Sequence, residues 1–95
     1  MRELPELTAE DFARSIESRQ RQRIMRGTLE PGDVAALRRF VGLTQTEFAE
    51  AMGISVHTLR NWEQGRRAPD GSAVALLRIA AKHPRILREN LASAA

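Results

Sequence analysis

Eleven positions separate two helix starts in this chain, and a helix stop lies between them. Thr44 heads the run QTEFAEAM, with Glu47 three residues on, so hydroxyl and carboxylate can each satisfy the other's free backbone N–H in a capping box. Phe48, Ala49 and Met52 give that run a buried face. Gly53 ends it, because glycine takes the left-handed conformation that other residues avoid. Ser55 then caps a second run, of about nine residues, that ends before Gly65. A helix that short is unstable alone and must be packed. The turn Gly53-Ile54-Ser55 leaves little freedom in how the two pack, with Ile54 available to plug the space between them.

On a helical wheel the second run has two sides. Leu59 and Trp62 point one way, while Val56, His57, Arg60, Asn61 and Gln64 spread over about 140° on the other. Two short helices, a tight Gly-containing turn, an apolar back and a polar front match a helix-turn-helix. The front suits a DNA groove: Arg60 can bond guanine O6 and N7 together, Asn61 can pair with adenine N6 and N7, and a thymine methyl would give Val56 a partner. His57 can meet a base edge or a phosphate. Thr44, Gln45 and Thr58, near helix starts, suit phosphate anchoring, as do Arg66 and Arg67 just past the second helix. The alternatives are ordinary: a solvated face for Arg60 and Asn61, a surface histidine for His57, partial core burial for Val56. Trp62 reads as core. Glu63 would repel phosphate unless neutralised, and Arg38 is the candidate partner, the alternative being a free carboxylate.

The rest of the chain predicts an all-α domain. Thr8 and Asp11 can form a capping box, and Phe12, Ile16 and Ile24 lie on one thin apolar stripe, giving a helix from about Thr8 to Ile24. The breaker segment 27–32 places a boundary between an N-terminal arm, residues 1–30, and a DNA-binding domain, residues 31–95. In the domain a helix runs from Pro31 to Val41, with Val34, Leu37 and Val41 inward and Gly42 at its end. Asp70 or Ser72 caps a strongly apolar helix to Lys82, and Pro84 opens a final helix to Leu91, after which the chain should fray.

Composition narrows the class. Ninety-five residues suit one small domain with an arm. There is no cysteine, which removes disulfides and thiolate zinc sites and suits a reducing compartment. No apolar run is long enough to span a membrane, and the first residues lack the apolar core of a secretory signal, so a cytoplasmic protein is expected. The net charge of +3 is mild but uneven: residues 1–30 hold six Arg against six acids, residues 31–95 nine Lys and Arg against six acids. Such a balance favours polyanions weakly. No paired carboxylates, phosphate loop or spaced histidines suggest an enzyme, and no cofactor or metal is expected.

The pattern LTQTEFA, then GIS, then TLRNWEQGRRAP resembles the helix-turn-helix of the phage-repressor-type (Cro/C1, or XRE) family over about Val34 to Leu77. The resemblance implies a five-helix phage-repressor-like domain, operator binding as a homodimer, base contacts from Val56, His57 and Asn61, a phosphate- and base-edge-contacting Gln45, and an internal Arg38–Glu63 ion pair. Val56 and His57 stand where better-known members carry polar amides, so no operator sequence transfers. The stretch WEQGRRAPDGSAVALLRIAAKHP is similar to HigA-type antitoxins, which carry an arm before the same domain. That similarity implies a small ribonuclease toxin of the HigB/RelE-like kind as partner and repression of the antitoxin's own operon.

Two functions are therefore expected together: sequence-specific binding of double-stranded operator DNA, and sequestration of a toxin. A plain repressor without a toxin is the alternative. Phe12, Ile16, Arg19, Arg23 and Ile24 are the candidate toxin contacts, the other possibilities being that the arm folds back onto the domain or lies along DNA. Leu76, Ile79, Ile86, Leu87 and Leu91 exceed what a small core needs, and some of them suit a two-fold interface, since specificity usually takes two half-sites about 34 Å apart. Ordinary core packing is the other reading of these residues.

Overall fold

The computed structural model describes residues 16–94. They form six helices and, among the described residues, no strand: α1 Ser18–Arg26, α2 Pro31–Val41, α3 Gln45–Met52, α4 Val56–Glu63, α5 Gly71–Lys82 and α6 Pro84–Ala94. The expected all-α class is observed.

Local signals set most of the boundaries. Thr44 and Glu47 form the reciprocal box, with Thr44 N–H donating to Glu47 Oε1 at 2.9 Å and Glu47 N–H to the Thr44 hydroxyl at 3.2 Å. The hydrogen bonds that Thr44 gives the Glu47 carboxyl, first of all from its backbone N–H, hold that group below its ordinary pKa. Gly53 stops α3 at φ 73° and sends its N–H back to the Glu50 carbonyl. The Ser55 hydroxyl caps α4 through Thr58 N–H at 3.0 Å, and Asp70, not Ser72, caps α5 through Ala73 N–H at 2.9 Å.

α2 is the hub. It packs against α1, α4, α5 and α6, while α3 fills the angle between α4 and α6. Leu37 on α2, Val41, Phe48, Leu59 and Leu77 are completely buried and meet in one cluster with Trp62. Each such side chain contributes roughly 1.5–3 kcal/mol through removal of apolar surface from water. Asn90 ties α6 to the end of α3, donating from Nδ2 to the Ala51 carbonyl at 2.6 Å.

Two boundaries differ from expectation. The single helix expected from Thr8 to Ile24 is interrupted: Ile16 and Glu17 are not helical, Glu17 is extended at φ −66°, ψ 148°, and the first helix among the described residues starts at Ser18. Gln20 Oε1 accepts the Glu17 N–H at 3.3 Å and closes the new start, and the helix runs on to Arg26. The Thr8–Asp11 box and Phe12 lie outside the described residues. At the other end α6 continues past Leu91 to Ala94, so the backbone through Ala94 is helical where fraying was expected.

The segment 27–30 is a turn between packed helices. Ile24 is completely buried and belongs to the common core, and α1 packs on α5 as well as α2. From Ser18 to Arg26, therefore, residues assigned to the arm pack against α2 and α5. The thin stripe on α1 has its reason here: Ile24 is its only buried residue, and Ile16 and Met25 pack partly against the same cluster.

Candidate nucleic-acid interface

α3 and α4 place the polar row at the surface. On α4, His57 and Arg60 are exposed and Asn61 is half-buried, while Leu59 and Trp62 face the core at 0% and 5% exposure. Trp62 is a core side chain and not a stacking platform. Val56 is half-buried and packs partly against the core, so partial burial, the plainer of its two readings, is what the structure shows. Arg66 and Arg67 are exposed in the loop after α4, and Arg66 N–H is fixed to the Asn61 carbonyl at 2.9 Å. Thr44 is exposed at the start of α3. Thr58 is half-buried, its hydroxyl accepting from Ser55 Oγ at 2.9 Å.

A hydrogen-bonded network braces this surface from behind. Arg38 Nε donates to Glu63 Oε2 at 2.8 Å and Arg38 Nη2 to Glu63 Oε1 at 3.3 Å. Arg38 Nη1 also reaches the Leu43 carbonyl at 3.2 Å, just before α3. One guanidinium thus spans α2, the α2–α3 turn and the end of α4. Gln45, expected at a phosphate, is engaged within the chain: Nε2 donates to Glu63 Oε1 at 3.1 Å and Oε1 accepts from Arg60 Nε at 3.4 Å. The net effect is a neutralised acid beneath a polar, basic face.

The four described candidate toxin contacts do not share one surface. Arg19 is exposed and Ile16 half-buried, Ile24 is in the core, and Phe12 is outside the described residues. Ile24 is therefore not available as a surface contact in this conformation; it takes the fold-back alternative. Arg23 is held in a bidentate pair with Asp33, both contacts at 2.7 Å, with Glu30 3.7 Å away.

Asp33 escaped the sequence reading. It is 1% exposed, the one charged residue among the buried side chains described, and it also accepts the Glu30 N–H at 3.0 Å. Burial alone would push its carboxyl up; the Arg23 hydrogen bonds, the Glu30 N–H and the Arg23 charge together outweigh this and hold it below the ordinary value. The only signal available was Asp33 three residues after Glu30, a weak capping pattern.

On the far side of α3, Leu76, Ile79 and Ile86 expose 43%, 43% and 49% of their surface. With Met52, Leu87 and Asn90 they border a groove of about 370 Å³. Leu87 itself is buried and Leu91 half-buried, so these two serve the core. Among the described residues no cluster of three or more His, Cys, Asp or Glu could hold a metal, and no helix is long and apolar enough to cross a membrane.

Comparison with known proteins places the chain in a family of antitoxin components. Over residues 5–90 the chain matches the family described as "Antitoxin component of bacterial toxin-antitoxin system, MqsA", and it belongs to that family. Antitoxin HigA-2 of Vibrio cholerae is 37% identical over 59 residues, covering 62% of this chain and 57% of the relative. Antitoxin MqsA of Escherichia coli is 36% identical over 62 residues, covering 65% of this chain and 47% of the relative. The chain thus spans about half the length of the curated relatives it matches. No solved structure matches it.

Proposed function

We propose that this protein is a non-enzymatic, cytoplasmic antitoxin that binds operator DNA through a phage-repressor-like helix-turn-helix, represses its own operon and neutralises a HigB/RelE-like ribonuclease toxin. One observation carries the DNA half: His57, Arg60 and Asn61 stand on one outward side of α4, flanked by Arg66 and Arg67, with Glu63 neutralised beneath them. Residues 31–95 then form the five-helix domain, with α4 in the major groove and the N-terminus of α3 on the phosphates. Base contacts come from His57, Arg60 and Asn61, with Val56 offering its exposed edge, and phosphate contacts from Thr44, Thr58, Arg66 and Arg67.

The exposed Leu76, Ile79 and Ile86 support a homodimer, since an apolar patch of this kind on a small domain calls for a partner surface. The toxin half rests on family membership, with Phe12, Ile16 and Arg19 as contacts. A plain repressor without a toxin is the second reading; the engagement of Ile24 and Arg23 inside the fold favours it, because it removes two of the five arm contacts.

The test pairs two assays. The purified protein is titrated onto DNA from upstream of its own reading frame, and the gene is co-expressed with the adjacent one. Selective binding with rescue from a toxic neighbour supports the whole proposal. Selective binding beside a harmless neighbour leaves the plain repressor. Binding without preference over random DNA refutes the DNA half.

A further inference from the structure

Gln45 stands between two charged groups, and chemistry dictates which way its amide faces. An ionised carboxylate only accepts and a guanidinium only donates, so Nε2 must face Glu63 and Oε1 must face Arg60. The distances, 3.1 Å and 3.4 Å, fit that order. Glu63 is itself fixed by Arg38, so a continuous line of hydrogen bonds runs from α2 to the exposed tip of Arg60.

This arrangement is poorly suited to a phosphate clamp. Phosphate oxygens only accept, so Gln45 Oε1 offers them nothing, and one of the two Nε2 hydrogens is already given to Glu63. It is well suited to holding Arg60. With Nε resting on Gln45, the Nε–H is occupied. The two terminal Nη groups remain, and they match guanine O6 and N7.

We propose that Gln45 is a positioning residue that fixes Arg60 for end-on recognition of a guanine. The inference rests on the DNA reading proposed above. Its physical basis is preorganisation: a free arginine loses rotamer freedom when it docks, and a partner that fixes one N–H beforehand removes part of that cost.

The experiment compares wild type, Gln45→Ala, Arg60→Ala and the double variant on a selected operator and on a panel in which each base pair is changed in turn. Gln45→Met, which keeps the length of the side chain but neither accepts nor donates strongly, serves as a second variant should the alanine form fail to fold. Gln45→Ala is expected to lose about three- to tenfold in affinity, the scale of one immobilised side chain. The loss falls at the single guanine on which Arg60→Ala acts, and vanishes in the Arg60→Ala background. Replacing that guanine by 7-deazaguanine brings wild type and Gln45→Ala together. An even loss over all sequences, with a salt slope lower by about one, makes Gln45 a phosphate contact and overturns the inference. A loss that persists without Arg60 also overturns it. If the wild type selects its site and either of these results appears, this inference alone falls; if the wild type shows no preference, the DNA reading falls with it.

Discussion

Arg38 grips Glu63 through two hydrogen bonds, at 2.8 and 3.3 Å, and so joins α2 to the end of α4 across 25 residues of chain. Their side chains are 16% and 9% exposed. The pair does two things at once: it locks the angle of α4 on the domain, and it removes a negative charge from a face proposed to meet phosphate.

Breaking that pair from one side should therefore be costly. Arg38→Met leaves the Glu63 carboxylate desolvated with Gln45 as a neutral partner, and is expected to lower stability by about 2–4 kcal/mol. Removing both charges, as in Arg38→Met with Glu63→Leu, is expected to recover most of the loss, because the burial penalty goes with the attraction. Urea unfolding of the two variants checks this. Equal losses in the single and double variants would show that the charge itself matters little.

The Asp33–Arg23 pair predicts an acid limb. The Asp33 carboxyl is held below its ordinary value of 3.8, so its contribution is complete above that value and is lost as pH falls through the lower folded pKa. Stability should drop as the pH is taken below about 4, and Asp33→Asn should lower stability at neutral pH while flattening that acid limb. Unfolding free energies of the two proteins between pH 7 and pH 3 decide the matter. Parallel acid limbs would place the titrating group elsewhere.

Two glycines separate strain from freedom. Gly65 lies at φ 76°, and a Cβ there would sit 2.8 Å from Pro31 Cγ, so Gly65→Ala should cost about 1–3 kcal/mol. Gly71, in the first turn of α5, has open space around it. Gly71→Ala should stabilise by about 0.4–1 kcal/mol by restricting the unfolded chain. Melting temperatures moving in opposite directions satisfy the prediction; movement in one direction for both would refute it.

The exposed patch on α5 and α6 gives a prediction about assembly. Ile79→Asp with Ile86→Asp should convert a dimer to a folded monomer in sedimentation velocity, with helical content unchanged, since both side chains are about half exposed in the monomer. A protein that is monomeric before the change, or dimeric after it, removes this face as the two-fold interface.

Helix starts and stops were legible in the sequence wherever the signal is local. Thr44 with Glu47, Gly53 and Ser55 each act through a backbone group within four residues, so the residue type alone identifies the terminus, and Pro84 opens α6 with its fixed φ; the start of α5 was open between Asp70 and Ser72, and the structure shows the Asp70 cap. Ile24 was not legible in this way. Its burial depends on α5 closing over α1 from fifty residues away, and its own helix carries too thin a stripe to announce it. Asp33 was missed for a similar reason: its partner Arg23 lies across a turn, ten residues back, outside any helical or strand period. At the candidate interface the outward side of α4 followed from periodicity, but the engagement of Gln45 by Glu63 and Arg60 required α3 and α4 to be docked on each other.

The central claim is that α4 reads DNA, and the most direct measurement is the affinity of Arg60→Ala with Asn61→Ala for the operator and for single-base variants of it. Each lost base contact should remove about 1–3 kcal/mol of discrimination at its own base pair, leaving the affinity for unrelated DNA nearly unchanged. A double variant with the same footprint, affinity and base preference as the wild type would contradict the account.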